Sequence, residues 1–474
     1  MAMPAIKSDW PPKPFDEAFT DIAEWAVWWE GTSAKLTNFY FSRGTLYNAL
    51  PMGLRQRSAA ATQAFFGRQD GRYQGGPASL QLHLPVPGAI ARKMANIMFA
   101  TAPHFGIEVE DKGDVGVDDD TDAEELEEET DPRETRIDEL LNSDGFKALL
   151  LEAAESWSAL GGTYLRVVWD EATVPDRAFV DKVDHDHAIP MFAWGVLKEV
   201  IFWSEIGTTK DGGVLRHFQR YLPGYIDHAV YEGTTSNVGI KVDLASVQVI
   251  DFTDLIESMD ETGMVPTGYE GVAAVYVPRR KPNPSWRAKT QLKYMGYSDF
   301  SRDVIPLFAC IDEAWTSLMR DVRQGKGRLI IAENLLELLG PGRGSGFDMT
   351  REMFSPVGES LDDTGRPLIE QVQFQIRVQE HLDVIRGLLL EILRRVGISP
   401  LTFGLSEQVA TTATEVKAWT ADTLETQDAG QRYWGPALRD IAIALLAVDA
   451  DKFPDGVAVD DIELEWPASV ELSD

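Results

Sequence analysis

Cysteine is all but missing from this chain, with Cys310 the single example in 474 residues. An intrachain disulfide is therefore impossible and a multi-thiolate zinc site is excluded. Cys310 lies in an apolar run and reads as a small buried core residue. Positive charge is scarce too: 44 Lys and Arg face 76 Asp and Glu, for a formal net charge of −32. A field of that sign repels a polyanion, which argues against a regulator that reads DNA sequence through Lys and Arg on phosphates. No apolar run is long enough to span a bilayer, and Met1-Ala-Met-Pro-Ala-Ile-Lys7 lacks the charged-then-apolar layout of a signal peptide. The protein is expected to stay where it is made, with no membrane partner. Catalytic signatures are missing as well: there is no Gly-x-Ser-x-Gly elbow, His-Glu-x-x-His helix or nucleotide fingerprint. Gly342, Gly344 and Gly346 are followed by no Gly-Lys-Ser/Thr and open no helix, so no Walker A site is expected. A non-enzymatic protein without cofactor is the expectation.

What remains is a composition of 44% hydrophobic and 25% charged residues, that of a folded globular protein. Single cores stop growing beyond roughly 250–300 residues, so three or more substructures are expected. Charge is uneven: Glu108 to Asp131 is almost continuously acidic, through Asp118-Asp-Asp120 and Glu127-Glu-Glu129. Like charges keep such a run solvated and extended. A cation site is the alternative, although the Gly turn and spacing of a calcium loop are lacking. His185-Asp-His187 looks like a metal pair, but it lies in an Asp-rich loop with no third ligand at a useful spacing.

Periodicity organises the rest. Val304 to Arg323 places Val304, Phe308, Ile311, Trp315 and Leu318 on one face, and Gln375 to Val396 does the same with Val378, Leu382, Ile385, Leu389, Ile392 and Val396. Three- and four-residue spacing predicts two amphipathic helices, which on periodicity alone also suits a helical hairpin in an ordinary core. Trp25, Trp28 and Trp29 with Phe39, Tyr40 and Phe41 read as core or as an interface patch. Helical spacing follows Pro85 and Pro87, through Ile90, Met94, Ile97 and Met98. Ile137 to Leu160 is predicted as one amphipathic helix ended by Gly161-Gly162. Strands are predicted at Tyr164–Trp169, Ala188–Trp194, Val200–Trp203, Val214–Tyr221, His228–Tyr231 and Ala274–Val277, in a mostly antiparallel meander with turns at Asp211-Gly-Gly and Glu232-Gly. The insert between the two amphipathic helices reads as a strand at Leu329-Ile-Ile, a short helix from Glu333 to Leu339, a Gly-rich loop and a returning strand at Gln371-Val-Gln-Phe. Between Val396 and Thr412 there is no Lys or Arg. Ala413 to Val448 then reads as one long helix, kinked or interrupted near Gly430 and Gly435-Pro436.

The series Tyr297-Ser-Asp-Phe, Ile311-Asp-Glu-Ala-Trp, Lys326-Gly-Arg-Leu-Ile-Ile, Val396-Gly-Ile-Ser-Pro, Ala413-Thr-Glu-Val and Tyr433-Trp resembles the portal proteins of tailed bacteriophages. The similarity is to the type found in phages with long non-contractile tails, especially actinobacteriophages. Echoes upstream are Leu84-Pro-Val-Pro through Ala102-Pro, and Gly161-Gly-Thr-Tyr-Leu-Arg-Val-Val-Trp169. The resemblance implies an α+β portal fold: an N-terminal region and β-rich wing over 1–296, a first stem helix over 297–323 and a small α/β clip over 324–374. A second stem helix over 375–396, a tunnel loop over 397–412, a long kinked helix over 413–448 and a short crown segment over 449–474 complete it. Relatives usually continue into a helical crown, whereas few residues follow Trp466-Pro here.

By the same resemblance, the loop would face DNA through Leu401, Phe403, Leu405, Glu407, Val409 and Thr411. Phe308, Ile311, Trp315, Leu382, Ile385 and Leu389 would pack the stem. Arg320, Arg323, Lys326 and Arg328 form a basic cluster at the clip, where they either offset a helix dipole or touch phosphate. His381 is expected at an interface. The implied role is a homo-oligomeric, dodecameric ring at one capsid vertex, assembled in the host cytoplasm. Double-stranded DNA passes through it without sequence recognition. Implied partners are the terminase large subunit, the head-tail adaptor, the major capsid protein and scaffold. A different virion component, such as an adaptor or capsid-associated protein, is the alternative; a metal-dependent hydrolase is a distant third.

Overall fold

The computed structural model describes residues 3–42, 82–107, 131–209, 212–247, 249–250, 252–324, 328–331, 337–338, 345–346, 369–372, 377–405 and 413–467. The acidic run 108–130 lies outside them. The chain divides into two units, one made of residues 1–50, 85–308 and 390–474, the other of 51–84 and 309–389. Its helices are α1 (Phe15–Glu30), α2 (Ser33–Ser42), α3 (Val86–Phe99), α4 (Pro132–Leu140), α5 (Asp144–Leu160), α6 (Thr253–Glu257), α7 (Ile305–Gln324), α8 (Val378–Val396) and α9 (Ala413–Lys452). Its strands are β1 (His104–Gly106), β2 (Gly162–Val168), β3 (Phe179–Asp184), β4 (Ala188–Ala193), β5 (Val196–Thr208), β6 (Val214–Leu222), β7 (Tyr225–Thr234), β8 (Asn237–Val242), β9 (Val265–Pro266), β10 (Ala274–Pro278), β11 (Arg328–Ile331), β12 (Glu337–Leu338), β13 (Ser345–Gly346), β14 (Ile369–Val372) and β15 (Glu463–Glu465).

In the larger unit, α1, α3, α5 and the C-terminal half of α9 pack with a three-stranded antiparallel sheet of order β10-β2-β3. The segment expected as one helix from Ile137 to Leu160 is two helices. Asn142 breaks it by exchanging bonds with the Phe105 backbone at 3.0 and 2.9 Å, and Ser143 restarts it by capping the Phe146 N–H at 3.3 Å. Gly161, at φ 84°, ends α5 as expected. The N-terminal aromatics Trp25 and Trp28 are core: Trp28 donates to the Tyr40 hydroxyl at 2.9 Å and stacks 5.7 Å from Phe308. Cys310 is half-buried rather than buried.

A second sheet runs β4-β5-β6-β7-β8, with β9 also on β7, and every pairing in it is antiparallel. The meander is as expected, but β3 and β8 were not foreseen. Strand β3 alternates charges that find partners on other elements, Arg166 of β2 binding Asp181 at 2.8 Å and Glu152 of α5 binding Lys182 at 3.2 Å. Glu232-Gly233 is not a turn: β7 runs on to Thr234, with its register to β8 shifting between Glu232 and Thr234. Gly239 sits so close that a Cβ would lie 1.8 Å from the Glu232 carbonyl oxygen. Trp194, 98% exposed at φ 55°, forms with Gly195 the two-residue turn between β4 and β5.

In the smaller unit, α7 holds the strap 82–84 by side chain. Asp312 accepts from the Leu84 N–H at 2.9 Å and pairs with His83 at 2.7 Å, while Thr316 accepts from the Leu82 N–H at 3.1 Å. His381 of α8 binds Asp321 of α7 at 3.1 Å. In the insert, β11 pairs with β14 and β12 with β13. Glu337 and Leu338, expected in a helix, are thus in a strand, because the backbone of Ser345-Gly346 supplies their partners. The returning strand begins at Ile369, two residues before the expected Gln371.

Helix α9 continues four residues past the expected Val448, to Lys452, with Pro436 inside it. Gly430 serves packing: a Cβ there would lie 2.6 Å from the Met98 sulfur and 3.2 Å from the Trp157 ring. That approach brings Trp434 to 5.7 Å from Trp157 and 4.8 Å from Phe99. Two buried ion pairs tie distant segments around this core. Asp449 takes Arg136 at 2.8 and 3.0 Å and the Ala178 N–H at 2.9 Å. Asp299 takes Arg279 at 2.9 Å, Arg280 at 2.8 Å and the Ser158 hydroxyl at 2.6 Å. Burial alone would raise the Asp299 carboxyl, but the two arginine charges and the bonds from Ser158 and Arg279 hold it below the usual carboxylate range.

A lowered native pKa contributes stability that is complete above the unfolded value of about 3.9 and is lost as pH falls through the native one. Asp299→Asn, which leaves the buried Arg279 guanidinium unneutralised and the half-buried Arg280 without its carboxylate, is expected to cost about 3–5 kcal/mol at neutral pH by urea unfolding. Its stability should also fall less steeply than the parent's between neutral pH and pH ~3, since the titrating group is gone.

Candidate functional site

The site is the junction where α8 gives way to the loop and the loop to α9. Helix α8 ends by a glycine reversal: Gly397, at φ 79°, donates to the Leu393 carbonyl at 2.9 Å, and Ile398 donates to the same oxygen at 3.0 Å. Two carbonyls left over at the helix end, those of Arg395 and Val396, accept from Arg280 at 3.2 and 2.7 Å. A guanidinium is well placed there, at the negative end of the helix dipole. Arg280 is itself held by Asp299 at 2.8 Å, and Arg395 reaches Asp303 at 2.7 Å.

Beyond Gly397 the chain is fastened to α9 through hydroxyls. Thr426 donates to the Gly397 carbonyl at 2.8 Å, and the Ser399 N–H donates to the Thr423 hydroxyl at 2.8 Å. Ser399 and Thr402 pair their hydroxyls at 2.7 Å, and Thr402 lies 3.2 Å from the Thr423 oxygen. Ile398 and Ser399 are buried. The turn then closes on itself, with Phe403 bonded to Ser399 at 3.1 Å, Leu405 to Pro400 at 2.9 Å and Gly404 at φ 84°. Leu401, Phe403 and Leu405 are half-buried on this anchored turn. Glu407, Val409 and Thr411 lie outside the described residues. From 397 to 412 the loop itself carries no Lys or Arg.

The other expected positions divide. Phe308 and Ile311 are buried, and Trp315 is half-buried. Along α8 burial rises towards its C-terminus: Val378 and Leu382 are exposed, Ile385 and Leu389 are half-buried, and Ile392 and Val396 are fully covered. Leu382 is 40% exposed, although its neighbour His381 reaches Asp321 of α7 at 3.1 Å. Arg320 is exposed on α7; Arg323 is on that helix and Arg328 opens β11, their side chains outside the description, as is Lys326 altogether. These basic positions are not brought together with the loop by any described contact.

His185 is committed to structure. It is buried, with one ring nitrogen 2.8 Å from the Leu160 carbonyl and the other 3.2 Å from the Tyr276 hydroxyl, and burial lowers its pKa to about 4. His187 instead pairs with Asp186 at 2.9 Å, a bond that raises its pKa, and stacks 4.9 Å from Trp203. Among the described residues no group of three or more His, Cys, Asp or Glu side chains is arranged to hold a metal ion. Arg280, Thr423 and Thr426 were missed by sequence reasoning. Only the pair of threonines three residues apart on a long helix hinted at them.

Comparison with known proteins gives one family. The model of the phage portal proteins, "Phage portal protein, SPP1 Gp6-like", matches residues 78–471. No curated protein matches. Among solved structures, the neck of an empty GTA particle computed with C6 symmetry is 12% identical, covering 81% of this chain and 80% of its own, at a TM-score of 0.39. The neck of a native GTA particle computed with C12 symmetry is 11% identical, covering 85% and 86%, at a TM-score of 0.36. The family match spans most of the chain, which therefore belongs to the phage portal proteins.

The junction yields a graded expectation. Gly397→Ala meets both the left-handed backbone and a Cβ 2.3 Å from the Thr426 oxygen, whereas Gly404→Ala meets the backbone cost alone, with nothing within 4 Å. Gly404→Ala should cost about 1 kcal/mol and Gly397→Ala roughly 2 kcal/mol or more, read as the order of their melting temperatures.

Proposed function

We propose that this portal protein acts as one subunit of a ring in which α7 and α8 of successive copies stand side by side around a channel for double-stranded DNA. The observation that carries this reading is the apolar surface those helices leave open: Val322 is 41% exposed, Val378 42%, Leu382 40% and Val384 54%. Completing the burial of side chains already about half covered is favourable by roughly 0.6–1.6 kcal/mol each. A head-to-tail contact repeated between copies closes into a ring. The portal resemblance supplies the number of copies, twelve, and the names of the parts: N-terminal region and wing over 1–296, a stem over 297–323 and 375–396 that contains α7 and α8, clip over 324–374 and a crown segment over 449–474.

A net charge of −32 per copy gives the channel a field that repels the duplex from its walls. The loop, through Leu401, Phe403, Leu405, Glu407, Val409 and Thr411, follows the DNA by small and apolar contacts, since each Lys or Arg pairing with phosphate would act as a brake. Arg320, Arg323, Lys326 and Arg328 are the exception, a basic group at the clip end. The remaining partners follow from the family: a terminase large subunit drives DNA in, scaffold and major capsid protein surround the ring, and a head-tail adaptor docks on the clip. The ring is assembled in the host cytoplasm and ends at a virion vertex. No step of this work needs chemistry by the chain itself.

Electron microscopy of the purified protein is the direct test; rings with an axial hole are expected, and a stable monomer would end the reading. Leu382→Asp should weaken assembly by at least about tenfold in threshold concentration, at roughly 1.4 kcal/mol per tenfold, while circular dichroism stays that of the parent. Placing Lys together at Leu401, Phe403 and Leu405 should leave rings intact and lower the DNA packaged per particle. Normal packaging in that variant would remove the loop from the mechanism.

A further inference from the structure

We infer that Thr423 and Thr426 are positioning residues, whose hydroxyls fix the direction in which the loop leaves α8. The inference rests on the reading of that loop as the element that follows DNA. Threonine in a helix interior ordinarily returns its hydroxyl to a carbonyl of its own preceding turn. These two turn theirs outward to another segment: Thr423 accepts from the Ser399 N–H at 2.8 Å, and Thr426 donates to the Gly397 carbonyl at 2.8 Å. Three residues apart, they share a face of α9.

What they hold is polar backbone outside the helix and sheet ladders, at the place where the chain reverses. Ser399 is buried, so its N–H, once deprived of the Thr423 oxygen, has no water to turn to. Thr402 reinforces the same point through the Ser399 hydroxyl at 2.7 Å and the Thr423 hydroxyl at 3.2 Å. The loop root is thereby referenced to α9, and α9 is one helix of 40 residues whose later part carries Gly430 and Trp434 into the core. A shift of α9 along its axis carries both hydroxyls, and the root of the loop, with it. Neither threonine belongs to the expected DNA-facing set.

The test separates the hydroxyl from the bulk around it. Thr423→Val keeps the shape and removes the hydroxyl; Thr423→Ser keeps the hydroxyl and removes a methyl. In the full-length assembled protein, hydrogen exchange at Ser399 is expected to quicken by roughly tenfold or more in Thr423→Val. It should stay near the parent rate in Thr423→Ser. Thr426→Val should release the same segment, with Thr426→Ser restoring it. Exchange unchanged in the Val variants, or equally fast in the Ser variants, overturns the inference. Packaged DNA per particle is measured on the same variants: a fall with Val that Ser reverses is expected. Exchange that responds while packaging does not leaves the hydroxyl clasp standing and removes the DNA reading of the loop instead.

Discussion

Asp299 is the charge around which the larger unit is arranged. Its carboxylate has no solvent, and it remains ionised because Arg279, Arg280 and the Ser158 hydroxyl surround it. Ser158 comes from one segment and the consecutive Arg279 and Arg280 from another, just past β10. Ser158 is on α5, Arg279 lies over the Trp157 ring at 4.4 Å, and Arg280 passes on to the last carbonyls of α8. One acid thus neutralises a buried cation in the helical core and steadies the cation that caps a helix end. Without it, the Arg279 guanidinium would be left in a site that cannot solvate it.

From that capped end the geometry of the junction follows. Helix α8 cannot run past Gly397, whose backbone turns left-handed and whose missing Cβ leaves room for the Thr426 hydroxyl. The loop is therefore launched from a fixed point, fastened on one side to α8 and on the other to α9. Helix α9 is in turn fixed far from the loop, by the Gly430 notch and by the Asp449 pair with Arg136. For the proposed role of the loop such a base matters, because a contact made by a loop is only as well placed as its root.

The helices α7 and α8 show the opposite condition. Their apolar positions are only partly covered, and Val322, Val378, Leu382 and Val384, all in the smaller unit, are 40–54% exposed. In the proposed ring, that exposed apolar surface is what neighbouring copies would cover. The negative charge that discourages tight DNA binding suits the same role, since a conduit has to release what it carries.

Much of this was legible in residues alone. The two amphipathic helices, the antiparallel meander, the glycine stop at Gly161 and the long helix from Ala413 follow from periodicity and from backbone preferences that act within a few residues. The family too was readable in a series of short motifs. What the sequence could not display is any bond between partners far apart in the chain: Arg136 with Asp449, Arg280 with the end of α8, Thr423 with Ser399. Strand β3 stayed hidden because its charges look like loop until Arg166 is beside them, and Asn142 split a helix only because Phe105 lay within reach. Local pattern determines which segments are helix or strand, because those forces act along the chain. Which buried charges are neutralised, and where a loop is anchored, depends on distances across the fold, and only the tertiary structure decides those.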